Sequence, residues 1–228
     1  MAISKPEGTE DLLPVQARFY RSFVNTAFDV FGRSGYVAIE KPIFEQTDLF
    51  VRGIGEATDV VSKEMFVAIS GANLQKLLAG EKLKAKSRLS LRHEGTAGTV
   101  RAIAQNALVG QGTAPVKFMY AGPMFRAERP QKGRLREFHQ VGVECMGADD
   151  PSIDAEAIIM LMRFFEEIGI PRANMRLLIN SMGDEVCRPA YREKVKQHIL
   201  EHADQMCEDC RHRAEVNPLR AFDCKVPA

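Results

Sequence analysis

Two alternating segments flank a strongly basic loop, and no other feature narrows the possible folds so far. APVKFMYAGPMFRAE (114–128) sets Lys117, Met119 and Ala121 against Phe118 and Tyr120, and EFHQVGVECMG (137–147) alternates in the same way. A period of two sends successive side chains to opposite faces of a strand, and two such strands joined by a short polar loop pair antiparallel. The joining stretch and its borders, FRAERPQKGRLREFHQVGVE, carry Arg126, Arg129, Lys132, Arg134 and Arg136 within eleven positions of a 228-residue chain whose net charge is only +1. A nearly neutral chain exerts no global pull on a polyanion, so any anion must be met by a local patch such as this one.

The remaining segments surround that hairpin with helices. VQARFYRSFVNTAFDVFGRSG (15–35) places Phe19, Phe23, Ala27, Val30 and Phe31 at helical spacing, with Gly32 and Gly35 as a stop. YVAIEKPIFEQTDLF reads as a short strand broken at Pro42, and RGIGEATDVVSKEMFVAI as a glycine-rich loop followed by a strand. Residues 71–88, with Lys76, Lys82, Lys84, Lys86 and Arg88, read as an exposed excursion, a solvated face first and an RNA contact second. RLSLRHEGT is a strand, and TAGTVRAIAQNAL (96–108) a helix opened by Thr96. SIDAEAIIMLMRFFEEIGI is a helix with Ser152 as N-cap, Ile158, Met162 and Phe165 on one face, and Gly169 closing it. RLLINSMGD reads as a buried strand and turn, and the last segment as helical at first, then a cysteine-bearing, loop-like tail. Paired strands with helices beside them define an antiparallel α+β domain.

Composition excludes several classes. Hydrophobic residues at 45% and charged residues at 27% are globular values. No apolar run reaches the roughly 18 residues of a membrane helix, and MAISKPEGTEDLLP lacks the apolar centre of a signal peptide. Five cysteines, odd in number and concentrated late in the chain, do not form a secreted disulfide framework, so a cytoplasmic location is expected.

Guanidinium forks bind phosphate oxygens bidentately and keep their charge, so arginines around a hairpin loop suit a triphosphate. On charge alone a basic tip in water is the simpler reading. Glu128 and Glu144 weigh against it, because carboxylates among the arginines offer acceptors for an amino group, an ammonium or an imidazole. GxxxxGK[ST] is absent and GIGEAT opens no helix, so neither a P-loop nor a dinucleotide fingerprint competes.

FRAERPQKGRLREFHQ resembles motif 2 of the class II aminoacyl-tRNA synthetases in the form carried by histidyl-tRNA synthetases. LRHEGTAGTVRA is similar to that family's histidine-binding segment, IEKPIFEQTDLF to its dimer-forming motif 1, and GTEDLLP to its N-terminal signature; RGIGEATDVVSKEM and NPLRAFDCK also match in order. The resemblance implies a class II antiparallel sheet flanked by helices, a cytoplasmic homodimer joined through motif 1 around Pro42, and a ligase that binds L-histidine, ATP with Mg²⁺, and tRNA(His). It implies that Arg126 is the catalytic arginine on the α-phosphate of ATP, with Glu128 near the adenine and Arg134 on the γ-phosphate. Glu94, Gly95 and Thr96 match the histidine-binding segment, Glu94 receiving the α-ammonium, while Gln140 and Glu144 match the polar residues of the pocket, Glu144 accepting a hydrogen bond from the imidazole.

The same resemblance assigns residues 1–180 to the catalytic core and 181–228 to the start of a connection into an insertion region. Motif 3 and the anticodon-binding domain of the family are expected to lie outside this chain, which would then have little activity alone. Two positions depart from the family pattern: His93 where a proline is usual, and Glu7 where an arginine is common. No metal-binding residue is expected. Cys207 and Cys210 form a lone C-x-x-C, to be read as ordinary thiols, with a zinc site completed by Cys224 and Cys187 or His212 as the lesser reading. The competing functions are a histidine-sensing regulatory paralogue, disfavoured by the retained Arg126, Glu128 and Arg134, and an RNA-binding module built on the 71–88 lysines.

Overall fold

The computed structural model describes residues 3–54, 64–110, 114–181, 183–224 and 226. They form two compact units, Met1–Met175 and Arg176–Ala228.

The first unit is organised around the expected hairpin. Strands β5 (Val116–Phe125) and β6 (Glu137–Met146) pair antiparallel along their whole length, with Tyr120 opposite Gly142 and Phe118 opposite Glu144. The odd-numbered face carries Met119, Val141, Val143 and Cys145. Helices α1 (Pro14–Gly32) and α5 (Pro151–Glu167) cover it, closing a core of Ala27, Val30, Phe31, Tyr36, Met119, Met160 and Phe164. The even-numbered face carries Phe118, Tyr120, Gln140 and Glu144; Tyr120 and Met124 of β5 are buried on it, and its polar side chains come from β6. Strand β1 (Val37–Ala38) adds to β5 in parallel, making the sheet mixed, in the order β1-β5-β6.

A second sheet, β2 (Phe44–Gln46), β4 (Leu89–Leu91) and β3 (Val67–Ala68), lies in the order β2-β4-β3 with all neighbours antiparallel. The Phe125 N–H donates to the Arg92 carbonyl at 2.9 Å, which ties the end of β4 to the end of β5. Helices α2 (Thr47–Ile54) and α4 (Thr96–Gln105) pack beside this sheet, and α3 (Gly71–Leu78) occupies the 71–88 excursion, whose lysines are largely exposed as expected. The TDLF end of the motif 1-like segment is helical rather than extended. Most of the glycine-rich loop, residues 55–63, lies outside the described residues.

Several local expectations change. In α5 the N-cap is Asp150, whose carboxylate accepts from the Ser152 N–H at 2.8 Å, with Pro151 at the first helical position. Its buried residues are Met160 and Phe164, rotated from the expected Ile158, Met162 and Phe165. In α1, Phe19 is exposed, and Ala27, Val30 and Phe31 are the buried residues.

The larger corrections fall in the second unit. RLLINSMGD is not a buried strand: residues 175–181 form no regular element, and Leu178 and Ile179 are each 71% exposed. A continuous apolar run becomes a central strand only where other strands flank it, and none among the described residues does. Nor is the tail loop-like, since α6 (Cys187–Glu201) and α7 (Glu208–Val216) are followed by a 3-10 segment, Pro218–Asp223. The low apolar content of α7 hides its helical character from a periodicity argument.

Candidate functional site

The polar face of β5–β6 gathers the histidine-segment residues. Glu94 accepts from the Thr96 and Ala97 backbone N–H groups and so caps α4, taking the role that the sequence gives to Thr96. That leaves the Thr96 hydroxyl free to donate to Glu144 Oε1 at 2.7 Å, and the Tyr120 hydroxyl approaches the same oxygen at 3.3 Å. Burial, then the Glu144 charge, holds the Tyr120 phenol well above its ordinary pKa, so it remains a donor. Both bonds fall on Oε1, and the second carboxylate oxygen keeps its lone pairs for another donor.

Tyr120 fits because its neighbours lack side chains. A Cβ on Gly95 would lie 2.1 Å from the Tyr120 ring, and one on Gly142 would lie 2.5 Å from it. The Lys41 ammonium sits 3.2 Å from the ring centroid and donates to the Gly95 carbonyl and to Thr99 Oγ1, each at 2.6 Å. Burial and the nearby Arg92 charge bring Lys41 down to a pKa of about 8, partly offset by Glu144 and Glu94. Gln140, on the same strand face as Glu144, has a buried side-chain oxygen without a hydrogen-bond partner among the described residues. An orphaned acceptor at such a place marks where a ligand donor fits.

Arg126 stands at the end of β5. Its Nε–H donates to the His93 carbonyl at 3.2 Å, and its guanidinium lies 5.0 Å from the Phe138 ring centroid. This anchoring joins it to the residue directly before Glu94, so the arginine and the carboxylate cluster are held by neighbouring backbone. Arg134 pairs with Glu128 at 3.4 Å on the hairpin loop, which Gly133 turns with φ +80°. Arg136 is structural: it donates to the Glu128 carbonyl at 3.1 Å and faces Glu7 at 3.8 Å, while its N–H bonds the Gly8 carbonyl at 2.7 Å. The Gly8 carbonyl, which accepts from the Arg136 and Glu137 N–H groups, straps the N-terminal segment to the hairpin, with Glu7, the residue that departs from the family pattern, beside it.

His93 is 2% exposed and packs edge-on against Phe50 at 4.7 Å, so it serves the core between α2 and β4 rather than the polar face. Burial lowers its pKa and keeps the imidazole neutral. Sequence reasoning did not single out Lys41, Arg92 or Tyr120. Arg92 lies buried, donating to the carbonyls of Pro123 at 2.9 Å and Lys41 at 3.0 Å, and it meets the Cβ-less edge of Gly122. The only available signal for Tyr120 was its place opposite a glycine on the hairpin.

Comparison with known proteins follows this geometry. A family model described as histidyl-tRNA synthetase matches residues 8–206. The histidine–tRNA ligase of Halalkalibacterium halodurans is 45% identical over 225 residues, 99% of this chain and 49% of that protein. The crystal structure of apo histidyl-tRNA synthetase from Staphylococcus aureus superposes with a TM-score of 0.70 at 32% identity, over 99% of this chain and 49% of that one. A Bacillus halodurans protein described as an ATP phosphoribosyltransferase regulatory subunit/histidyl-tRNA synthetase shares the fold, with a TM-score of 0.58 at 22% identity over 75% of this chain and 39% of its own. The chain spans about half the length of the curated relatives it matches.

Proposed function

The chain belongs to the histidyl-tRNA synthetase family, and on that premise we propose that it supplies the amino-acid and ATP half-site of a cytoplasmic histidine–tRNA ligase. One observation carries the reading: Thr96, Glu144 and Tyr120 are hydrogen-bonded together on the strand face that also bears the unpaired Gln140 oxygen and ends at Arg126. Such a site selects a side chain that brings its own donors, because any other leaves buried acceptors unmet.

In this reading the free oxygen of Glu144 and the amide of Gln140 meet the two imidazole nitrogens of L-histidine. Glu94 receives the α-ammonium with lone pairs that the helix cap leaves over, and Gly95 keeps Tyr120 in place beneath the substrate. The histidine carboxylate attacks the α-phosphorus of ATP, the bond to the bridging oxygen breaks, and pyrophosphate leaves with its electron pair. Arg126 opposes the negative charge that grows on the α-phosphate oxygens. Arg134 reaches the γ-phosphate when it releases Glu128, whose carboxylate then faces the adenine amino group. Mg²⁺ is assigned to the ATP phosphates as part of the substrate.

Transfer to the terminal ribose of tRNA(His) and a homodimer are further parts of the proposal. The exposed apolar side chains Val37, Ile43 and Phe44 around Pro42 suit an interface with a second copy. No helix of the described residues is long and apolar enough to cross a membrane. The alternative of a histidine-sensing regulator has a place on the fold alone, through the Bacillus halodurans relative. The phosphate-facing Arg126 and Arg134 favour the enzyme.

Histidine-dependent ATP–pyrophosphate exchange tests the reading, run on this chain and on the chain extended to the length of its relatives. Exchange by the extended form, specific for histidine, is expected. Histidine binding without exchange in that form would favour the regulator instead.

A further inference from the structure

The second unit holds a cluster that the proposed ligase chemistry does not use. Cys207, Cys210 and Cys224 bring their sulfurs within 4.8 Å of one another, and the Cys207 and Cys224 sulfurs lie 3.7 Å apart. Cys207 caps α7, Cys210 lies in its first turn, and Cys224 follows the 3-10 segment that packs on α7. The spacing therefore closes a loop from one end of the unit's last two elements to the other.

We propose that these three cysteines form a binding site for one thiophilic metal ion, Zn²⁺ by the chemistry of its donors. A tetrahedral centre with Zn–S bonds of ~2.3 Å has edges of about 3.8 Å, close to the Cys207–Cys224 separation. Cys207 at the N-cap and Cys210 in the first turn of α7 bring their sulfurs to one side of the helix start, where Cys224 meets them. A cavity of about 450 Å³ adjoins the cluster, lined also by His198, Met206 and Phe222, and it gives access to the fourth coordination position. That position falls to a water.

Size supplies an independent reason. The buried apolar residues of this unit are few, Ile199, Cys210 and Ala214 with Pro218, in a segment of 176–228. Units this small gain stability from cross-links that a core of such extent does not provide. A disulfide between Cys207 and Cys224 would use two of the thiols and leave buried Cys210 without a role. A metal engages all three, and binding it releases their protons.

The test uses the whole chain, reduced and stripped with a chelator, then titrated with Co²⁺ and with Zn²⁺. One equivalent of Co²⁺ should bind with strong thiolate-to-cobalt charge-transfer absorption, and Zn²⁺ should displace it and raise the unfolding temperature. Cys207→Ser and Cys224→Ser should each weaken Zn²⁺ binding at least about tenfold, whereas Cys145→Ser and Cys187→Ser should bind as the parent does. Unchanged affinity in both cluster variants would overturn the proposal, as would a Co²⁺ complex without charge-transfer absorption. So would a Cys207–Cys224 disulfide, found by peptide mapping, that forms as fast with Zn²⁺ present as without it. Should either variant fail to fold, the Co²⁺ spectrum of the parent chain decides.

Discussion

Met119, Val141 and Val143 on the β5–β6 hairpin lie beneath α1 and α5, whereas Leu177, Leu178 and Ile179 stand in the open with no strand beside them among the described residues. Both stretches are apolar and both suggest strands. The difference is that the hairpin contains its own partner strand, while 176–181 depends on neighbours elsewhere in sequence. Period-two alternation also says which face is covered, and a continuous run says nothing about that. The hairpin therefore packs its odd-numbered face against α1 and α5 and holds Gln140 and Glu144 on the other, beside the buried Tyr120 and Met124. The second unit, short of buried apolar residues among those described, gathers thiols.

The sharpest way to break this comparison is to truncate one side chain in each region. Met124, fully buried, should cost about 2–5 kcal/mol when changed to Ala, while Leu178→Ala, at a residue 71% exposed, should stay within about 0.5 kcal/mol. Urea midpoints for the two variants measure this, and equal losses would mean that Leu178 is covered in solution. Arg126→Ala, made in the extended protein, should lower histidine-dependent exchange by about 10²–10³-fold, or roughly 3–4 kcal/mol of transition-state stabilisation, with the fold intact by circular dichroism. Gly95→Ala drives a Cβ into the Tyr120 ring and should cost about 1–3 kcal/mol, a loss that Gly95→Ala with Tyr120→Phe should not relieve, since the ring remains.

The two regions also differ in pH dependence. His93 is neutral in the fold, with a pKa lowered from 6.5, so the unfolded chain takes up its proton first and stability falls as pH drops below 6.5, at most by about 1.4 kcal/mol per pH unit. Lys41 follows the same sign at the alkaline end. Its folded value of about 8 lies below 10.5, so stability rises as pH climbs between the two. His93→Phe should flatten the acid slope and Lys41→Met the alkaline one, as read from unfolding free energies across the range. Unchanged slopes would show that neither group is buried as described.

What the sequence disclosed and what it concealed divide along the same line. Helix α1, helix α5 and the hairpin follow from local periodicity; the roles of Glu94, Thr96, Gln140, Glu144 and Arg126 are what the family resemblance implies. Lys41 was not singled out, because its place over Tyr120 depends on Gly95 and Thr99, more than fifty residues along the chain. Arg92 reads as one more charge in RLSLRHEGT until its guanidinium is seen to bond the Pro123 and Lys41 carbonyls. The N-cap of α5 went to Ser152 because Asp150 and Ser152 are both capping residues, and only Pro151 at the first helical position separates them. The cysteines gave too little signal because Cys224 lies outside the C-x-x-C spacing and arrives through the fold of the 3-10 segment.

In the proposed reading one face of one hairpin divides its work, Glu144 selecting histidine and Arg126 acting on phosphate. Steady-state pyrophosphate exchange by Glu144→Gln in the extended protein tests it most directly, with histidine and ATP varied in turn. The account predicts a KM for histidine raised about 10–100-fold, as for a hydrogen bond to a charged group worth roughly 1.4–3 kcal/mol, with the KM for ATP nearly unchanged. A parental KM for histidine, or equal rises for both substrates, would contradict it.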